Sequence, residues 1–197
     1  MKLVKLDTGL PIWDHFFTVA PLVIIGTKEG NGYDLAPKHM VTALGKGNYF
    51  GFVCTPRHRT YQNIRKEPFF TVSFPKPEQV VVSSMASMPR CGQDFSDKPI
   101  IYSLPTFSSD KIDALFVEDG YLYLDCELHE IFDGFGDYSL ITGKIISAQI
   151  ESSYQRVSDQ DEMDMVYRNP LLVYLANGRF AEIRNTKSFP FPKNFRL

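Results

Sequence analysis

The apolar positions of the chain fall mostly into short alternating or continuous runs, and few stretches carry the spacing of a surface helix. Pro21-Leu-Val-Ile-Ile-Gly-Thr27 is continuous and β-branched, the pattern of a strand buried on both faces or closed into a barrel. Glu29-Gly-Asn-Gly-Tyr33 follows with an Asn-Gly hairpin signal, and residues 33–39 make the returning strand. Pro37 has no N–H to give a ladder, so this strand must lie at an edge, or break early and leave backbone groups free. Residues 48–54 and 69–74 predict two more strands. Between them Thr60 is a suitable N-cap for a helix that Pro68 ends at about Glu67. Pro77-Glu78 opens a second helix, on which Val81, Met85 and Met88 share a face at i, i+4 and i+7.

Residues 91–109 are loop-rich, and 110–118 predict a short helix capped by Asp110. Two long strands follow over 121–132 and 138–150, joined by Asp133-Gly-Phe-Gly-Asp137 as a hairpin. The polar, acidic stretch 152–168 reads as surface. Strands over 171–175 and 179–183 then meet across Asn177-Gly178. The tail, aromatic and Pro-rich over 189–195, should run extended over another surface, for which a partner subunit is one candidate. Seven or more closely spaced strands with two or three short helices predict a mainly β chain, an antiparallel barrel rather than a parallel α/β sheet.

A length of 197 residues fits one compact domain, and 44% hydrophobic residues, with 16 Phe and 10 Tyr, supply its core. Disorder and coiled coil are excluded. Lys plus Arg number 21 against 23 Asp plus Glu, so no global field draws in nucleic acid or an acidic membrane, and any anion site must be local. Cys54, Cys91 and Cys126 lie too far apart for CxxC chemistry, and nothing over residues 1–14 reads as a signal peptide, so a reducing cytoplasm is the expected setting. The apolar runs fall far short of the ~20 residues a membrane helix needs.

Thr55-Pro-Arg-His-Arg-Thr60 places three basic residues and two hydroxyls directly before a helix N-terminus. Free N–H groups and the positive end of the helix dipole attract a phosphate there, and Arg57, Arg59, Thr55 and Thr60 add hydrogen bonds; the alternative is a solvated basic turn. His15, His39, His58 and His129 are isolated, so no metal site is expected. Ser83-Ser84 lacks a nucleophile elbow, Walker and Rossmann glycine patterns are absent, and Asp133, Asp137, Asp125 and Glu127 read as solvated carboxylates.

The order of segments resembles the flavin reductase-like family. Its pattern is a strand ending in Thr, a turn, Asn-x-Ala-Pro-x-Ser, a strand, Thr-x-x-Asn-Ile and a strand. Here Thr27, Asp34-Leu-Ala-Pro-Lys-His39, Thr60-Tyr-Gln-Asn-Ile64 and Phe70-Thr-Val-Ser73 stand in that order, and Leu124-Asp-Cys-Glu-Leu128 and Ile141-Thr-Gly-Lys144 are similar to its later strands. Asp34 and His39 depart from its usual Asn and Ser. The resemblance covers residues 21–182 of a single domain spanning 1–197, with a tail over 184–197. It implies an FMN-binding split β-barrel of Greek-key type that dimerises, and a reaction passing hydride from NADH or NADPH to flavin. On this reading Asp34, Leu35, Ala36, Pro37, Lys38 and His39 edge the flavin ring, and Cys54 and Thr55 close the site at a strand end. Arg57, His58, Arg59, Thr60 and Asn63 receive the phosphate. No side chain is expected to act as a catalytic acid or base, because the cofactors carry the chemistry. The rival readings are an FMN electron carrier fed by a protein partner, and a barrel that has lost its flavin and serves as a binding module.

Overall fold

The computed structural model describes residues 1–87, 98–157, 162–176, 178–187 and 190. In chain order it holds β1 (Val19–Pro21), β2 (Val23–Glu29), β3 (Gly32–Lys38), β4 (Val41–Ala43), β5 (Tyr49–Cys54), α1 (Arg59–Lys66), β6 (Phe69–Phe74) and α2 (Val80–Met85). These are followed by β7 (Thr106–Ser108), β8 (Leu115–Val117), β9 (Leu122–Phe135), β10 (Tyr138–Ile150), α3 (Glu162–Arg168), β11 (Leu171–Leu175) and β12 (Arg179–Ile183). Seven strands form one sheet in the order β3-β2-β6-β9-β10-β5-β4, while β1, β11 and β12 make a smaller sheet and β7 pairs with β8. All pairings are antiparallel. The large sheet curls into the half-barrel of a split-barrel fold, mainly β as the sequence predicts.

Strand β2 shows why its apolar run is continuous. Val23 and Ile25 point into the barrel core with Phe52, Phe70, Val72 and Ile141. Ile24, on the other face, packs with Leu35, Ala86, Ile101 and Val117 in a second core. Period-two alternation sends neighbours to opposite faces, and here both faces are covered. Each of these fully buried β2 side chains contributes about 1.5–3 kcal/mol of transfer free energy. Next to them Gly26 admits β8: a Cβ there would run into the Leu115 carbonyl oxygen and Thr71 Oγ1. Thr71 Oγ1 donates to that same carbonyl at 2.5 Å, so the neighbour cannot retreat without losing the bond. Gly26→Ala should therefore destabilise the fold by about 2–3 kcal/mol, a shift in the urea midpoint with little change in slope.

Strand β3 is an edge of the large sheet, where Pro37 is tolerated opposite Ile24. The helix expected over 110–118 is not formed. Ser109 Oγ donates to Asp125 at 2.6 Å and accepts the N–H groups of Lys111 and Ile112, which closes a turn in place of a helical start. The Phe107 and Phe116 rings, tilted against each other at 5.2 Å across the pair, then help hold β7 against β8 as a hairpin. Thr60 is not the cap of α1. The helix begins at Arg59 with His58 in the cap position, because Thr60 turns inward to donate to the buried Asp34 carboxylate at 3.4 Å. Nor is the stretch 152–168 surface throughout, since Tyr154 is buried and stacks on Tyr121 at 4.7 Å. Strands β1 and β4 were not anticipated. Met88, Cys91, Asn177 and residues 188–189 and 191–197 of the tail lie outside the described residues. Among the described residues no helix is long and apolar enough to cross a membrane.

Candidate functional site

The edge strand β3 and the start of α1 meet at a cavity of about 140 Å³, lined by Asp34, Ala36, Pro37, Lys38, His58, Arg59, Thr60, Ala86, Ser87 and Lys98. Two segments singled out from the sequence, 34–39 and 55–60, are thus brought together although they lie on different elements. Strand β2 carries both contacts: it pairs with β3 along their length, and α1 packs on it. The 55–60 segment turns where the His58 N–H donates to the Thr55 carbonyl at 3.0 Å, which directs the chain into α1. His58, in the cap position, gives α1 no side-chain hydrogen bond, and the helix starts at the cavity wall, where Arg59 and Thr60 line it.

A buried ion pair lies at this wall. Lys98 Nζ sits 3.4 Å from Asp34 Oδ1 and donates to the carbonyls of Leu35 and Ala86 at 2.6 Å each. Side-chain exposure is 3% for Lys98 and 5% for Asp34, so solvent screens the pair little. Lys98 therefore ties β3 to the segment just after α2. Among the described residues the lining sets Lys38, Arg59 and Lys98 against the carboxylate of Asp34, a positive balance that favours an anion. Arg59 is half-buried and keeps a loose contact with Glu29 at 3.7 Å. Burial, with the neighbouring Lys38 charge, pushes His58 below the ordinary imidazole value, so its ring is neutral near neutral pH. Burial likewise raises the Cys54 thiol, whose sulfur lies 3.9 Å from His58 Nδ1.

Other residues picked from the sequence stand elsewhere. The Arg57 guanidinium is exposed and pairs with Asp137 at 3.0 Å, across the turn between β9 and β10. Leu35 packs in the second core. Asn63 is buried and donates to Thr27 Oγ1 at 3.0 Å, fastening α1 to β2. Cys54 and Thr55 are buried at the end of β5. His39 faces a second, larger cavity of about 660 Å³ on the other side of Pro37, with its ring 4.4 Å from that of Tyr174 on β11. Burial depresses the His39 imidazole as well, and Lys38 adds to the effect.

The sequence reading missed Lys98, Ala86 and Ser87. Lys98 lies within the stretch 91–109 that reads as loop-rich, and no local spacing ties it to Asp34, 64 residues earlier.

Whole-chain comparison places solved flavoproteins beside this fold. An FMN-binding protein from Thermus thermophilus, crystallised with bound p-hydroxybenzaldehyde, superposes with a TM-score of 0.75 at 19% identity, covering 96% of this chain and 100% of that one. Flavoredoxin from Methanosarcina acetivorans gives 0.74 at 17% identity, covering 98% of this chain and 97% of its own. In sequence, an uncharacterised protein of Methanothermobacter thermautotrophicus is 25% identical over 163 residues, 78% of this chain and 73% of that protein. The description of the flavin reductase like domain matches residues 17–183, which takes in every strand of the half-barrel, both cavities and the small sheet. The chain therefore belongs to the flavin reductase like domain family.

Proposed function

We propose that the chain is an FMN-binding flavoprotein that acts as an NAD(P)H-dependent flavin reductase, and that it works as a homodimer. The observation that carries this reading is the pairing of a small cationic cavity with a larger, mostly apolar one across the edge-strand residue Pro37. A phosphate suits the first, where Lys38 and Arg59 stand at the N-terminal turn of α1. The size of that cavity favours one phosphate, hence FMN over a dinucleotide flavin. A flat heterocycle suits the second, whose walls are largely apolar and include the Tyr174 ring. When bound, FMN supplies the hydride-accepting ring, which is why the site needs no acid–base pair of its own. Lys38 brings a positive charge between the two cavities, the kind of group that offsets negative charge growing on a reduced ring. His39 and His58, both neutral, add polarity there without a second charge.

Support for pairing comes from the surface. Trp13, Phe17 and Val19 near the N-terminus and Phe180 on β12 are all more than half exposed, an apolar area a second subunit would cover. Sedimentation at micromolar concentration should give a dimer, and only a 22.5 kDa species would refute this part.

The test of the main reading is the absorption spectrum of the purified protein, followed by pigment extraction and assay of NADH and NADPH oxidation with added flavin. A yellow protein yielding FMN and turning over is expected. Bound FMN without turnover would favour the electron carrier, and a colourless protein with no affinity for FMN would leave the binding module.

A further inference from the structure

A neutral imidazole carries one N–H and one lone pair, and the hydrogen bond made by one ring nitrogen decides what the other presents. His58 is such a ring, half-buried on the wall of the smaller cavity and kept neutral by burial and the nearby Lys38 charge. Beside it stands Cys54, the last residue of β5, 2% exposed. Its sulfur lies 3.9 Å from His58 Nδ1 and 3.6 Å from the Thr55 carbonyl oxygen.

Burial holds the thiol in its protonated form, so the sulfur has one hydrogen to give. Lys38 approaches the same sulfur as a hydrogen-bond donor, which turns the S–H away from the ammonium. The Thr55 carbonyl already accepts the His58 N–H at 3.0 Å, the bond that shapes the turn into α1. Nδ1 is therefore the better acceptor for the thiol, and a ring nitrogen that accepts carries no proton. We propose that Cys54 fixes His58 as the tautomer protonated at Nε2, so that the ring offers the smaller cavity a neutral N–H donor for an anion beside Lys38 and Arg59. Cys54 is a positioning residue, acting through His58. A neutral donor adds a hydrogen bond to the anion without adding to the repulsion among the cations of the wall. The anion here is the FMN phosphate of the flavin reading, on which this part of the inference rests.

Long-range proton–nitrogen NMR spectra of the isotope-labelled chain at neutral pH test the tautomer, with and without inorganic phosphate. His58→Gln identifies the His58 signals among those of the four histidines. The parent should show a protonated Nε2 and a bare Nδ1, and so should Cys54→Ser, which keeps a donor; Cys54→Ala should show a mixture of both tautomers. Phosphate should shift the Nε2–H signal. Titration with FMN and riboflavin tests the donor. His58→Leu should weaken FMN about tenfold and riboflavin hardly at all, whereas His58→Gln, which keeps a neutral N–H, should stay within about threefold of the parent. Cys54→Ala should weaken FMN about twofold, the share of rings left in the wrong tautomer. A proton on Nδ1 in the parent, a charged ring at neutral pH, or an unchanged tautomer in a folded Cys54→Ala would overturn the inference. So would an Nε2 signal indifferent to phosphate, or equal losses of FMN and riboflavin in His58→Leu. If the spectra and the phosphate response are as expected but no flavin binds, the flavin reading fails and the assignment of His58 stands.

Discussion

Lys98→Met should lower the stability of the protein by about 3–5 kcal/mol, the cost found when one partner of a buried ion pair is removed and the other stays. The methionine keeps the length of the side chain but no charge. Asp34 then loses its ammonium, and the Leu35 and Ala86 carbonyls lose a donor. For a chain of this size the loss corresponds to a melting point lowered by roughly 10 °C. Asp34→Asn keeps an acceptor toward Lys98 and Thr60 and should cost less. Combining Lys98→Met with Asp34→Leu should recover part of the loss, since no buried charge is then left alone. Melting curves of the four proteins decide the matter. If Lys98→Met melts within about 2 °C of the parent, the pair does not hold β3 to the end of α2.

Replacing both Lys38 and Arg59 with alanine should weaken FMN about a hundredfold, on the reading that both face its phosphate. Each charge-assisted hydrogen bond contributes about 1.5–3 kcal/mol, and ~3 kcal/mol in all corresponds to about two powers of ten in affinity. Riboflavin has no phosphate and should be nearly indifferent to the same change. Inorganic phosphate should compete with FMN in the parent and far less in the double variant. Arg57→Ala gives the contrast inside the same turn: its guanidinium lies on Asp137 at the surface, so FMN affinity should hardly move. Equal FMN affinity in the parent and the Lys38, Arg59 variant would leave the basic turn as a solvated feature.

Wherever one element's own residues decide its form, the sequence was sufficient. The β-branched run at 23–25, the aromatic strands β5 and β6, the long β9–β10 hairpin and the edge position of Pro37 all follow from local pattern. Residues 34–39 and 55–60 were legible as a pair because composition marks the second and family pattern the first. What was not legible depends on partners distant in sequence. Thr60 reads as a cap until Asp34 is found beneath it, and residues 110–118 read as a helix until Ser109 takes their amides. The orientation of α2 belongs with these: Val81 and Met85 have core-like spacing, but the second core reaches the helix elsewhere, through Val82 and the following Ala86.

Strand β2 has one further consequence, for exchange of amide hydrogens with solvent. Its residues belong to both cores, and it is bonded to β3 on one side and β6 on the other. No opening confined to one core can release its central amides, so the N–H groups of Ile24 and Ile25 should exchange only through the global transition. The exposed tip of the β9–β10 hairpin, with Gly134 and Gly136 at positive φ and Phe135 in solvent, can fray without disturbing either core and should exchange at the fast limit. Both candidate cavities touch β3, which has a neighbour on only one side. The segment that would contact a ligand can thus yield locally while the strand behind it keeps the cooperativity of the whole domain.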